Sequence, residues 1–298
     1  MDLILKNLLI ASERAVNGRP TDFEYCFFDA EMEIQLKREK DIQHELMQIA
    51  TTDSNGGIYL LYQPIVDLGS NRIYGFEALA RLKTEKYGIV SPLEFIPIAE
   101  KTKLIVPLGE KIIYIAFGFL NKLAKQGYGD INISINVSAS QLLEGDFAED
   151  VFRIIDEMNV CPDNITFEIT ESVYVANYGK INDIIAKLRC KGIHIAIDDF
   201  GRGYSSLAAE LGLRANCLKI DKFFIDALMT GDPDKAITSD IISMAHKLGH
   251  YVIAEGVEHE EQKKYLVHYG CEKIQGFLFS KPVEGEKAIE LLKESGTL

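Results

Sequence analysis

From residue 51 onward, strand-like and helix-like segments alternate along the chain. Short β-branched runs at Ile131–Val137, Ile165–Thr170 and Ile193–Asp198 have the composition of strands buried on both faces of a parallel sheet. Capping boxes at Ser91–Glu94 and Ser138–Gln141 mark the starts of helices. Eight predicted strands, most of them followed by a helix, lie within about 245 residues. This pattern favours a (β/α)8 barrel of the α/β class over an open doubly wound sheet.

The first two long strand-like runs, Tyr59–Val66 and Arg72–Leu82, are joined only by the short turn Asp67–Asn71. A connection of this length predicts an antiparallel hairpin. No glycine-rich dinucleotide fingerprint follows the first strand, which also argues against a Rossmann fold.

Residues 1–50 are predicted to form a separate N-terminal segment, followed by the barrel at 51–298. The segment contains a predicted helix over Leu3–Ala15, a strand over Phe23–Phe28 and a long charged helix over Glu31–Ala50. The long helix has two interpretations. It packs as an amphipathic helix on the main domain, or it connects the barrel to an upstream unit.

The formal net charge of −13 argues against binding to a nucleic-acid polymer or an anionic membrane. A phosphate-bearing small molecule remains possible, because bound divalent ions reverse the local field. The five cysteines are widely spaced and include no C-x-x-C pair. They are typical of reduced thiols in a cytoplasmic protein. No apolar run approaches the roughly 20 residues that span a bilayer.

Polar side chains lie within or just after the predicted strands, toward the carboxyl face where barrel enzymes place their chemistry. These residues are Glu77, Asn136, Glu168, Asp198, Asp199, Lys219, Glu255 and Gln275. Each one alone could be a cap, a surface ion pair or a partner of a backbone group, but the complete set predicts a common site. Five carboxylates and an amide favour Mg²⁺ or Mn²⁺ over zinc. Two such ions are a recurring solution for phosphodiester hydrolysis, and Arg81 could reach a phosphate oxygen.

The residues Gly75-Phe76-Glu77-Ala78-Leu79-Ala80-Arg81 carry the E-A-L-x-R signature of the EAL family of bacterial cyclic di-GMP phosphodiesterases. The chain resembles this family from about residue 58 to its C-terminus, with the motifs in the correct order. The further matching segments are Tyr62–Ile65, Asn136–Ser138, Glu168–Ser172, Asp198–Gly201, Leu218–Asp221, Ala254–Glu258 and Gln275–Pro282.

The resemblance implies a TIM-like barrel with an antiparallel first strand and metal-dependent hydrolysis of cyclic di-GMP to linear pGpG. It implies that the ions are held by Glu77, Asn136, Glu168, Asp198, Asp199 and Glu255, with Asp198 as the bridge. It also implies that Lys219 and Gln275, with Glu77 and Glu255, act on the nucleophilic water. Substrate contacts are expected from Gln63, Leu79, Arg81 and Asp221.

The resemblance further implies a regulatory loop over Asp199–Leu207 that couples a homodimer to metal binding. Glu171 is expected to steady this loop, and Gly201, Arg202, Ser205 and Glu258 are expected to contribute to it. Family members commonly have threonine where this chain has Arg202.

The N-terminal segment resembles the end of a GGDEF domain plus its connector, which implies an upstream GGDEF or sensory domain in a longer protein. Two alternatives to a phosphodiesterase stay open. One is a non-catalytic cyclic di-GMP receptor, and the other is a metal-dependent barrel enzyme acting on a different phosphorylated substrate. The chain is expected to be cytoplasmic, and a membrane anchor in upstream regions of a full-length protein stays open as an alternative.

Overall fold

The computed structural model describes residues 30–52, 54–171, 173, 178–201, 214–230 and 236–295. Within these ranges the strands form one nine-stranded sheet. The strands are β1 (Ile58–Asp67), β2 (Arg72–Thr84), β3 (Gly88–Val90), β4 (Asn132–Asn136), β5 (Ile165–Thr170), β6 (His194–Phe200), β7 (Cys217–Ile220), β8 (Tyr251–Ala254) and β9 (Lys273–Gln275).

Eight of these strands close into a barrel. Strand β1 pairs antiparallel with β2 on one side and with β9 on the other. The pairs from β2 through β4 and onward to β9 are all parallel. The predicted barrel with an antiparallel first strand is therefore confirmed. The three-residue strand β3 was not predicted. It pairs antiparallel with the end of β2, outside the closed ring.

Helices precede the barrel and follow most of its strands. They are α1 (Ala30–Thr51), α2 (Pro92–Lys101), α3 (Ile105–Lys125), α4 (Ala139–Leu143), α5 (Phe147–Met158), α6 (Tyr178–Cys190), α7 (Lys222–Thr230), α8 (Thr238–Lys247), α9 (Glu260–His268) and α10 (Gly285–Ser295). Among the described helices, none has both the length and the apolar character to cross a bilayer.

Strands β4 and β5 are covered on both faces. In β4, Asn132–Ile135 are all buried, and in β5 Ile165–Ile169 are buried. Phe76, Phe117 and Phe167 fill the layer between the barrel wall and the helices with less than 2% of their surface exposed. Burial of such large aromatic side chains stabilises this layer, together with the many buried Ile and Leu side chains.

Helix α1 packs on the barrel domain. Ile42 and Leu46 are fully buried and Ile49 is 4% exposed. The amphipathic-helix interpretation thus describes the observed packing, and it leaves open whether this helix also connects to an upstream unit. The predicted helix Leu3–Ala15 and strand Phe23–Phe28 lie outside the described residues, as does a short helix expected near Ser206–Leu211.

The structure differs between the two predicted capping boxes, at Ser138 and at Ser91. The capping box at Ser138 is present, with both its hydroxyl and the side chain of Gln141 bonded to backbone N–H groups. At the start of α2, the Ser91 hydroxyl accepts from the backbone N–H of Leu93. Glu94 instead pairs with Arg38 of α1, a long-range contact that local spacing does not reveal.

Candidate active site

Four carboxylates surround one ammonium group at the carboxyl end of the barrel. The Nζ atom of Lys219, on β7, lies 2.5 Å from Glu255 Oε1, 2.6 Å from Glu168 Oε2, 3.3 Å from Asp198 Oδ1 and 3.8 Å from Glu77 Oε2. The Lys219 side chain is fully buried. Neighbouring parallel strands end at the same edge, so they bring together residues that are far apart in sequence.

A chain of amides fixes the orientation of Glu77. Asn136 Nδ2 donates to Glu77 Oε1 at 2.7 Å, and Gln275 Nε2 donates to Glu77 Oε2 at 2.6 Å. Gln275 Nε2 also donates to Gln63 Oε1 at 3.1 Å, and Gln63 Nε2 donates to the carbonyl oxygen of Ser280 at 3.3 Å. Strands β1, β2, β4 and β9 are thus joined through polar side chains at one end of the barrel.

Burial and charge shift the pKa values of these groups in different directions. Burial alone would raise the pKa of Glu77, but Lys219 and the two amide donors outweigh it and lower the pKa. Burial raises the pKa of Glu168 well above its usual range and that of Glu255 to about 8, against the attraction of Lys219. Burial would lower the pKa of Lys219, but the four carboxylates raise it well above its usual value. The lysine is therefore charged at neutral pH.

Asp198 and Asp199 lie at an irregularity in the β6–β7 register, between Ile197 and Phe200. Asp199 has a φ of +56°, in the left-handed region, and its backbone N–H donates to Asp198 Oδ1 at 2.9 Å. Successive residues of a regular strand would point to opposite faces. The irregularity lets both aspartates line the same cavity. A strained non-glycine residue costs of order 1–3 kcal/mol, and such strain is concentrated at functional sites.

Acidic groups outnumber basic groups at this centre. Four carboxyl groups face one ammonium, so that full ionisation, which a bound cation would favour, gives a charge of −3, and Glu168 Oε1 is buried without a hydrogen-bond partner. Within the described ranges, no group of three or more His, Cys, Asp or Glu side chains is arranged around a common point for an ion. The carboxylates converge on Lys219 instead. The excess charge and the all-oxygen donor set nevertheless fit a hard divalent cation.

Two cavities open at this end of the barrel, and Asp198 lines both. The larger, about 590 Å³, is lined by Leu79, Arg81, Asn136 and Asp199, together with apolar residues of α2. The smaller, about 290 Å³, is lined by Gln63, Glu77, Lys222, Glu255, Glu258, Gln275 and Phe277. Cavities of this size suit a small-molecule ligand.

Several predicted site residues have other partners. Asp221 Oδ1 accepts from the backbone N–H of Phe223 at 2.8 Å and so caps α7, and Asp221 lines neither cavity. Arg81 lines the larger cavity, and its Nη1 donates to the carbonyl oxygen of Ala80 at 2.9 Å. Substrate contact by Asp221 and Arg81 stays a prediction.

The start of the predicted regulatory loop is tied to a neighbouring strand end. The backbone N–H of Gly201 donates to Glu171 Oε2 at 3.0 Å. Glu171 itself is 6% exposed. Arg202 and Ser205 lie outside the described residues, so their predicted roles stay predictions.

Sequence reasoning missed Lys222, which lines the smaller cavity. Its Nζ lies 2.7 Å from Glu258 Oε1 and 3.1 Å from Asp226 Oδ1. The segment Leu218–Asp221, which matches a family motif, ends one residue before Lys222. The spacing of Lys222 and Asp226, four residues apart on a helix, is the one local signal that could have indicated the pairing.

Comparison with known proteins places these features in a family context. The sequence model of the EAL domain matches residues 43–282. The bifunctional diguanylate cyclase/cyclic di-GMP phosphodiesterase MucR of Pseudomonas aeruginosa is 34% identical over 265 residues, which are 89% of this chain and 38% of that protein. The cyclic di-GMP phosphodiesterase PA2567 of the same organism is 33% identical over 237 residues, 80% of this chain and 40% of that protein.

The solved structure of the MucR phosphodiesterase in complex with c-di-GMP superposes with a TM-score of 0.77 at 35% identity. The superposition covers 83% of this chain and 99% of that one. This chain spans about two fifths of the length of the two curated relatives.

Proposed function

The chain belongs to the EAL domain family, and we propose that it hydrolyses one phosphodiester bond of cyclic di-GMP to give linear pGpG. The observation that carries this proposal is the convergence of four carboxylates and a buried ammonium at the carboxyl end of the barrel. The similarity to MucR and PA2567, both named as cyclic di-GMP phosphodiesterases, supports the same substrate.

The residues proposed to hold two Mg²⁺ or Mn²⁺ ions, were these bound, are Glu77, Asn136, Glu168, Asp198, Asp199 and Glu255. When bound, such ions acidify a water molecule and neutralise phosphoryl oxygens. The buried oxygen of Glu168 without a partner and the surplus negative charge support this assignment.

Lys219 and Gln275 are proposed to act directly on the reacting atoms. The Lys219 ammonium is fully buried, so its charge is screened little by water and can stabilise negative charge that develops on the phosphoryl group. Gln275 holds its amide against Glu77 and Gln63. From that position it can orient the attacking water with little loss of side-chain freedom on reaction.

The two cavities are proposed to hold the two halves of the cyclic dinucleotide, with Asp198 beneath the bond that is cleaved. The guanidinium of Arg81, in the larger cavity, matches a phosphate oxygen pair in geometry and charge. Leu79 would contact the base or ribose. Gln63 and Asp221 complete the proposed substrate contacts, although binding by Asp221 would have to share the carboxylate that caps α7.

At the level of the whole protein, we propose a cytoplasmic barrel that forms a homodimer and follows a GGDEF or sensory domain. The bifunctional name of MucR supports this arrangement. In the dimer, the contact of Glu171 with Gly201 would link the predicted regulatory loop to the site.

The proposal is tested by chromatography of cyclic di-GMP incubated with Mn²⁺ and either the wild-type protein or Glu77→Ala. We expect pGpG from the wild-type protein alone. If neither protein forms pGpG but both bind the intact cyclic dinucleotide, the chain is a receptor. If wild type cleaves cyclic di-AMP or a simple phosphodiester and leaves cyclic di-GMP intact, the substrate assignment is wrong.

A further inference from the structure

Helix α2 stands between helix α1 and the larger cavity, and each of its faces has a different neighbour. Residues spaced at three and four positions line the cavity, namely Leu93, Ile96, Pro97 and Glu100. A second face is buried in the core, namely Phe95, Ile98 and Ala99. The remaining face carries Glu94 and Lys101, which pair with residues of α1. Any change in how α2 sits against α1 therefore moves the cavity wall.

Arg38 of α1 makes the main polar contact with that third face. Its Nη2 donates to Glu94 Oε2 at 2.8 Å, and its Nε also pairs with Oε1, so the guanidinium holds both carboxylate oxygens. The side chains are 35% and 33% exposed, respectively. The guanidinium pairing lowers the pKa of Glu94 below its usual range. Two parallel hydrogen bonds fix the direction of a carboxylate as well as its distance.

The same guanidinium also contacts the β2–β3 turn. Arg38 Cζ lies 4.4 Å from the centre of the Tyr87 ring, and the Tyr87 hydroxyl donates to Asp41 Oδ2 of α1 at 2.6 Å. Strand β2 leads into this turn and carries Leu79 and Arg81, which line the larger cavity. Arg38 of α1 thus contacts both Glu94 on α2 and Tyr87 in the turn after β2, and α2 and β2 both line that cavity.

Helix α2 depends on such outside contacts more than an ordinary helix would. It has only ten residues and contains Pro97. Proline has no N–H, so the carbonyl of Leu93 receives no helical hydrogen bond from position 97. Helix α2 therefore lacks a backbone hydrogen bond in the part that lines the cavity. Its position depends correspondingly more on the contacts that its opposite face makes with α1.

We propose that Arg38 is a positioning residue for substrate: through Glu94 and Tyr87 it sets the α2 and β2 walls of the larger cavity. This inference rests on the proposed function for the identity of the ligand, a cyclic dinucleotide. Arg38 lies outside the barrel and acts on binding. Of the Lys219 centre only Glu77 lies on β2, while Lys219 itself and its other three carboxyl partners come from other parts of the barrel. It follows that α1 is a functional part of the binding site.

The test compares two substrates in the full chain. Cyclic di-GMP needs the larger cavity, and bis(p-nitrophenyl) phosphate needs only the reacting centre. For Arg38→Gln we expect KM for cyclic di-GMP to rise about five- to tenfold, the effect of losing a two-point charge-assisted contact. The kcat, and the rate on the small diester, should change by less than about twofold.

Two further variants separate positioning from general damage. Lys101→Gln removes the other α1–α2 pair, whose Nζ–Oε1 distance is 3.8 Å, and should leave KM unchanged. The exchange Arg38→Glu with Glu94→Arg should restore most of the wild-type KM. An unchanged KM in Arg38→Gln, or equal loss of rate on both substrates, would overturn the proposal.

Failure of the proposed function gives a different result. If the wild-type protein does not hydrolyse cyclic di-GMP, the affinity for the intact dinucleotide, measured by titration calorimetry without added metal, replaces KM. A five- to tenfold weaker affinity of Arg38→Gln would then support positioning without catalysis. Equal affinities of the two proteins, or no binding by either, would refute it.

Discussion

Removal of the Lys219 ammonium is the most informative single perturbation of this protein. In Lys219→Met, Glu77, Glu168, Asp198 and Glu255 would face one another in a buried site without their shared cation. Removing one partner from a buried ion pair typically costs about 3–5 kcal/mol. For a domain of this size, a loss of about 4 kcal/mol corresponds to a melting temperature lower by about 8–16 °C.

The assay is thermal unfolding in the presence of a chelator, followed by a repeat with Mn²⁺. Lys222→Met is the matched control, because Lys222 is 43% exposed and pairs with Glu258 and Asp226 at the surface. We expect it to melt within about 4 °C of wild type, as surface pairs contribute less than about 1 kcal/mol. Mn²⁺ should raise the melting temperature more in Lys219→Met than in wild type, since the four carboxyl groups have then lost their shared cation and one positive charge. Equal melting temperatures for the two lysine variants would refute this account of the centre.

Two other predictions concern parts of the chain around the centre. Gly201 has a φ of +91°, and an added Cβ would lie 2.6 Å from the ring of Phe224. Gly201→Ala should therefore lower the free energy of unfolding, measured by denaturant titration, by about 1–3 kcal/mol. An unchanged free energy of unfolding would mean that the backbone at this position is not constrained. Burial lowers the pKa of His250, although the backbone hydrogen bond with Ala215 opposes this shift. As the pH falls, His250 is therefore protonated in the unfolded chain before it is protonated in the folded chain. The free energy of unfolding consequently decreases as the pH falls below about 6.5. His250→Asn should therefore show a smaller fall in melting temperature between about pH 7.5 and pH 5.5, and identical slopes for the two proteins would contradict this.

The positions of the site residues along the chain could be predicted because they follow from local patterns. Each β-branched run marks a strand, and the polar residue at its end follows from the barrel architecture. Glu168 and Lys219 were identified in this way. Their 2.6 Å contact was not, because it depends on which side chains of different strands meet across the barrel.

Two other contacts were missed, one of them local and the other between residues far apart in the sequence. Helix α7 follows β7 after the single residue Asp221, with no loop to mark the change of structure. The capping role of Asp221 was consequently missed, and the residue was assigned only to substrate. Glu94 shows a different limit, because its place in a capping-box pattern concealed its long-range pairing with Arg38, 56 positions earlier.

Metal dependence tests the central claim most directly, because the claim is that this carboxylate centre needs divalent ions to cleave a phosphodiester. The measurement is pGpG formation by wild-type protein after exhaustive chelation, followed by stepwise addition of Mn²⁺ or Mg²⁺. We predict no product in chelator and a rate that rises and saturates with added ion, while cyclic di-GMP binding persists throughout. Undiminished hydrolysis in chelator would contradict the account.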